Sequence, residues 1–299
     1  MSTPASESTK SAPVDIAGLR TAIGRKVTEH DVATPVPIHG LIATFGRTET
    51  PPKTGDAVPP GWHHAYFLAM SPRETLAADG LPTASEILPA MPYPRRMFAG
   101  IDQTFHDAIR IGDAIRRETE LTDISARQGA TGGLIFATLV RRISSPRGLG
   151  VEETYHMVFR EEVAAGAKSP ASKREETPAG LPWRRTITTD PVSLFRFSAL
   201  TFNPHRIHYD RTYAMTAEGY PGLVVHGPYS QQCLMDFARD QMREAASGKA
   251  MRSFSMRARA PLFDTAPFTL VGRPTATGCE VWALTPEGTI AMAATAAFS

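Results

Sequence analysis

Read for the spacing of its apolar positions, the 299-residue chain shows two stretches of strand-like patterning. The first holds four runs, at 97–106, 114–122, 133–143 and 153–160, and the second holds four more, at 251–261, 268–274, 279–284 and 289–298. Turn residues divide them, Gly112-Asp113 in one stretch and Asp264-Thr265 in the other. Several runs alternate apolar and polar side chains, as half-buried antiparallel strands do. Ahead of the second set, residues 223–242 place Leu234, Met235, Phe237 and Ala238 at helical spacing. Ahead of the first set, 51–94 is Pro-rich and irregular. A long helix followed by a four-stranded antiparallel meander, present twice, predicts an α+β sheet wrapped round a helix and duplicated in one chain.

Two polar stretches bound these halves. Residues 1–12 are small, polar and Pro-bearing, and are predicted to be disordered. Residues 166–182 hold no large apolar side chain before Leu181 and read as a linker. The expected units are therefore 13–165 and 183–299.

Composition narrows the class. Hydrophobic residues make up 42% and charged residues 21%, enough to bury a core. Thirty-two basic residues nearly balance 30 acidic ones with no like-charge block, which argues against a nucleic-acid partner. Cys233 and Cys279 are too few for a disulfide framework, a zinc knuckle or an iron–sulfur site. The N-terminus lacks the basic and apolar regions of a signal peptide, and no apolar run approaches the ~20 residues that span a bilayer. A soluble cytoplasmic protein without a membrane partner is expected.

The chemistry-bearing residues crowd into 196–227. An apolar, helix-like run stops at Asn203-Pro204, and His205, His208 and Asp210 follow within seven residues. The proline biases the backbone there toward an extended turn. Then 221–227 ends at His226-Gly227, and Pro228 suits the first turn of a helix. Proton-transfer groups on a short loop beside a helix N-terminus fit acyl-thioester chemistry, His208 handling the proton and the Gly227 N–H accepting a carbonyl oxygen. The bland alternatives are a solvated histidine and a permissive turn glycine. His205-x-x-His208-x-Asp210 also has metal-ligand residue types, but no clear further ligand follows. Fingerprints for dinucleotides, P-loops and nucleophile elbows are absent. The paired arginines Arg95-Arg96, Arg116-Arg117 and Arg184-Arg185 are either solvated surface or anion-binding groups.

At these residues the chain resembles the MaoC-like (R)-specific hydratases of the hot-dog fold, whose motif is Asp-x-Asn-Pro-x-His-x-Asp followed by an Ile-Val-His-Gly-like segment. Asn203-Pro204, Ile207-His208-Tyr209-Asp210 and Val224-Val225-His226-Gly227 match it. Thr201 stands where the family has its catalytic Asp, and His205 and Arg206 are inserted before Ile207. With the run at 59–63 and Pro94-Arg95-Arg96-Met97, this is similar to the branch of mesaconyl-CoA or itaconyl-CoA hydratases and 3-hydroxyacyl-thioester dehydratases. The likeness is strong over 183–299 and loose over 30–165.

The resemblance implies a double hot-dog fold whose second half is catalytic and whose first half shapes the acyl pocket. It implies hydration of an enoyl-CoA with no metal or redox cofactor. His208 is the expected base, Gly227 the oxyanion donor, Asn203 or Thr201 the groups that position water, and His205 or Asp210 the acid. Arg95, Arg96, Arg206 and His226 are the expected substrate-binding residues. The expected partner is the small-molecule acyl-CoA, with a homodimer left open. A dehydratase of linear acyl chains, a hot-dog thioesterase and a non-catalytic acyl-CoA binder are the rival readings.

Overall fold

The computed structural model describes residues 14–129, 132–161, 176–245 and 248–299. The predicted disordered tail and residues 166–175 of the predicted linker lie outside them. Helix α1 (Ile16–Arg20), capped by the Asp15 carboxylate on the Gly18 N–H, leads into strand β1 (Lys26–Val32) and helix α2 (Pro35–Thr44), which opens on a proline. An irregular passage follows, broken by two short 3₁₀ turns at Trp62–Ala65 and Arg73–Thr75. Four long strands come next: β2 (Arg95–Phe105), β3 (Ala114–Gly129), β4 (Gly132–Ser145) and β5 (Gly148–Arg160). Strand β6 (Trp183–Ile187) opens the second half, followed by α3 (Pro191–Leu200), α4 (Arg211–Thr216) and the long α5 (Gly227–Ala245). Strands β7 (Met251–Ala258), β8 (Phe268–Pro274), β9 (Gly278–Leu284) and β10 (Ile290–Phe298) complete the chain.

All ten strands form one antiparallel sheet in the order β1-β3-β4-β5-β2-β7-β10-β9-β8-β6. Read outward from the centre, each half repeats one order: first long strand, then last, then inward to a short edge strand. The halves meet where β2 pairs with β7, Gly100 opposite Arg257 through Thr104 opposite Ser253.

Three expectations need correction. The strands do not form simple meanders, because β2 and β7 leave their sequence neighbours to pair with β5 and β10. Each half also has a fifth, edge strand. Finally, among the described residues the long helix occurs once. In the first half its place in the chain is taken by the ten-residue α2 and the irregular passage, because prolines and turn residues at 51–94 deny the backbone a continuous helix.

Helix α5 lies against β7, β8, β9 and β10. Leu234, Met235, Phe237 and Ala238 are fully buried and join Phe254, Met256, Phe268, Leu270 and Val281 in the main core. Trp62 belongs to the same core, its indole N–H donating to the Asp236 carboxylate of α5 at 3.1 Å. Among the described residues, no helix is long and apolar enough to cross a membrane.

Candidate active site

Helix α3 determines where the catalytic loop begins. It starts on a capping box between Asp190 and Ser193 and ends with crossed hydrogen bonds, Phe202 N–H to Ala199 O at 3.3 Å and Asn203 N–H to Ser198 O at 2.8 Å. Phe202 takes the left-handed conformation (φ 48°) that this helix end requires, a position where glycine is the usual residue. Pro204 then prevents the chain from resuming the helix, and the Asn203 side-chain oxygen accepts from the His205 N–H at 3.0 Å. A short 3₁₀ turn, Arg206–His208, carries the histidine inward.

The first half braces this loop. The Asp79 carbonyl accepts the Arg206 N–H at 2.8 Å. Gly80, at φ 89°, presses so closely on Pro204 that a Cβ would sit 2.0 Å from the proline carbonyl oxygen. Both backbone angle and contact require glycine there.

His208 is buried, and its Nδ1–H donates to the Val224 carbonyl at 2.7 Å. A carbonyl only accepts, so Nδ1 carries the proton and Nε2 holds a free lone pair, the form a general base needs. Val224 itself is pinned, its N–H donating to Ile207 O at 3.0 Å. The His208 ring stacks on His226 at 3.7 Å and meets His205 edge-on at 5.5 Å. Burial, with a contribution from His205, lowers the His208 pKa to about 3. Burial and then the Arg96 charge lower His205 to about 4, and burial puts His226 well below its ordinary value. All three rings are neutral near pH 7.

Gly227 is the first residue of α5. The His226 carbonyl accepts the Ser230 N–H at 3.1 Å, opening the helical ladder, and the first-turn N–H groups have no partner within the helix. The reason for glycine is contact, not a permissive φ: a Cβ would come 2.5 Å from Cδ1 of Phe98 on β2. The site thus lies at the seam, with loop and helix from the second half and a facing wall from the first.

The other expected residues divide. The Thr201 hydroxyl donates to Phe197 O at 2.7 Å, ending α3, and keeps its lone pairs free to accept. Asp210 is not placed as the acid: it caps α4 on the Tyr213 N–H at 3.0 Å and pairs with Arg206 at 2.7 Å, which hold it as the anion. His205 does not suit the acid role either, being neutral at physiological pH. Arg206 is likewise withdrawn from substrate binding, since its guanidinium holds Asp210 and Ala78 O and stacks over Tyr213. Arg95 pairs with Glu218 at 3.4 Å. His226 is wholly buried and stacked on His208, with Nε2 at 2.8 Å from the Ser198 hydroxyl, so it has no surface to offer a substrate and backs His208 instead. Among the described residues Arg96 has no hydrogen-bonding or ionic partner, and its charge reaches both His205 and Tyr155. Among the described residues, no three His, Cys, Asp or Glu side chains are arranged to hold a metal ion.

Sequence reasoning missed Phe98, Ser198 and the bracing turn at Asp79-Gly80. Only the turn carried a local signal, its Asp-Gly pair.

The fold is that of the double hot-dog proteins. A MaoC-like dehydratase from Phytophthora capsici superposes with a TM-score of 0.68 at 13% identity, over 96% of this chain and 99% of that one. A Mycobacterium tuberculosis protein whose structure has a double hot-dog fold gives 0.53 at 13% identity, over 92% and 96%. In sequence, residues 61–264 match the model of hydroxyacyl-thioester dehydratase type 2, and the chain belongs to that family. It is 44% identical over 262 residues to mesaconyl-C(4)-CoA hydratase of Chloroflexus aurantiacus, covering 85% of this chain and 89% of that protein. It is 24% identical over 269 residues to the mitochondrial hydroxyacyl-thioester dehydratase type 2 of Schizosaccharomyces pombe, covering 82% and 89%.

Proposed function

We propose that this enzyme, a hydro-lyase acting on acyl-CoA thioesters, adds water to a short, branched enoyl-CoA bearing a second carboxylate, with mesaconyl-C4-CoA or itaconyl-CoA as substrate and citramalyl-CoA as product. The 44% identity to a hydratase of that substrate class supports the choice. The observation that carries the chemistry is the His208 Nδ1–H bond to Val224 O, which leaves Nε2 as a base beside the N-terminus of α5.

The thioester carbonyl oxygen sits on the Gly227 N–H, where the helix dipole favours negative charge. Water attacks the β-carbon while its proton passes to His208 Nε2. The π electrons move through the α-carbon to the carbonyl oxygen, giving an enolate held by Gly227. The growing negative charge raises the affinity of His208 for the proton just when the ring must accept it. The imidazolium then returns the proton to the α-carbon and the thioester re-forms. One histidine therefore serves as base and then as acid, which removes the need for the carboxylate that Thr201 replaces. Thr201 and Asn203 orient the water, and Arg96, among the expected arginines, keeps a positive charge beside His205 and Tyr155.

Mixing purified enzyme with mesaconyl-C4-CoA, crotonyl-CoA and a saturated acyl-CoA tests this reading. Loss of enoyl absorbance without release of free thiol is expected, fastest on mesaconyl-C4-CoA. Thiol release from the saturated thioester would make the enzyme a thioesterase, and faster turnover of crotonyl-CoA would make it a dehydratase of linear chains.

A further inference from the structure

On one face of the sheet the first half carries a cluster of linked charged and polar side chains. Arg117 of β3, Arg141 of β4, Glu153 and Tyr155 of β5 and Gln103 of β2 are linked on one face, and Gln231 of α5 reaches that face by donating to Gln103 at 3.2 Å. Both hydrogen bonds to Glu153 fall on its Oε1, leaving Oε2 toward Arg141, and Glu29 is paired with Arg117. Glu153 accepts from His63 at 2.8 Å and from Gln103 at 2.6 Å, while Glu29 accepts both arms of the Arg117 fork at 2.7 Å.

Among the described residues, Arg141 has Glu153 as its carboxylate partner, in a long ion pair. Its Nε is buried without an acceptor, and its nearest carboxylate oxygen, Oε2 of Glu153, is 3.8 Å away. Its guanidinium lies over the Tyr155 ring at 4.4 Å, and a quarter of the side chain (25%) remains open. Burial and the charge of Arg117 pull its pKa below the ordinary value, so the surrounding carboxylates do not offset its desolvation. Guanidinium groups that lose water are normally closely paired and fully hydrogen-bonded, and this one has a long ion pair and an Nε without an acceptor.

Its position links it to the reaction. Tyr155 stacks at 5.0 Å on Phe98, and Phe98 is the ring against Gly227. The charge of Arg96 also reaches Tyr155, so two guanidinium groups converge on one ring beside the thioester site. We infer that Arg141 is the specificity-determining residue of the acyl pocket: it takes the free carboxylate of the acyl group and makes the same space hostile to linear hydrocarbon chains. This rests on the enoyl-CoA reading of the site and adds to it a residue that no motif marks.

The test compares kcat/KM for mesaconyl-C4-CoA with kcat/KM for crotonyl-CoA, in the wild type and in Arg141→Met. The preference for mesaconyl-C4-CoA is expected to fall by ~10–100-fold, the range for losing a hydrogen-bonded charge partner. Arg141→Lys keeps the charge without the fork and should lose a smaller part. If Arg141→Met does not fold, Arg141→Lys decides by the same ratio. A folded variant whose ratio stays within about twofold of wild type, even with both activities reduced in proportion, overturns the inference, because a purely structural arginine would act that way. A wild type that hydrates crotonyl-CoA without preferring the dicarboxylic thioester also overturns it and leaves the hydratase reading standing. A wild type that hydrates neither overturns the reading beneath it.

Discussion

The two halves of the sheet share a strand order and differ in what fills them. In the second half, the nineteen-residue α5 lies on four strands, and Leu234, Phe237, Phe254, Met256 and Leu270 have no exposed surface. In the first half an irregular passage stands where that helix would be, and the interior holds His63, Gln103 and Glu153 beside the apolar cluster of Leu121, Ile124, Ile135 and Phe159. The main apolar core draws on both halves, and α5 is the element of the second half that fills it. The first half sets its buried polar group beside an apolar cluster of its own, at a cost in desolvation. The candidate site sits at the seam, where the N-terminus of α5 meets Phe98 of β2.

The largest effect that follows is on stability. Phe237→Ala removes a fully buried ring from α5 and should cost ~3–5 kcal/mol, read from the midpoint of urea unfolding. A cost under ~1 kcal/mol would mean that the core of the second half does not carry the fold.

A smaller effect comes from histidines buried around the seam. Burial lowers His64 and His205 to about 4 and His208 to about 3, with His226 lower than its ordinary value as well. Their unfolded forms titrate near 6.5. Between these values the unfolded chain binds more protons than the native one, so stability is full above pH 6.5 and falls as the pH drops toward 4. Each histidine should contribute roughly 1–2 kcal/mol of loss by pH 5. Thermal melting from pH 8 to 4.5 should show the decline, and His205→Gln should make it shallower. A melting temperature flat to pH 5 would place these rings in contact with water.

Much of this was legible in the amino-acid order. Strand β8 occupies 268–274 as its apolar run foretells, and β10 and β9 begin within a residue of theirs. The run of β3 on to Gly129 is hidden in the sequence because buried Ile124 is followed by exposed Ala126, Arg127 and Gln128, which breaks the alternation. The edge strands β1 and β6 were invisible for a related reason: each alternates only between exposed and half-buried positions. Helix α5 starts at Gly227 rather than 223, since Val224 and Val225 spend their N–H groups on Ile207 and Leu262. In the site, His208 and Gly227 stood out because the chain keeps them close in a recognisable order. The pairing of Arg206 with Asp210, and the convergence of Phe98, Tyr155 and Arg141, depend on which strands become neighbours. No local pattern encodes that.

The central claim is that His208 alone moves the proton, and kcat of His208→Ala beside that of Thr201→Ala tests it most directly. His208→Ala should lose ~10²–10⁴-fold with an unchanged circular dichroism spectrum, as expected for a positioned base. Thr201→Ala, whose hydroxyl ends α3 and only orients water, should lose far less. A folded His208→Ala enzyme with near-full activity would contradict the account, and so would a Thr201→Ala loss as deep as that of His208→Ala.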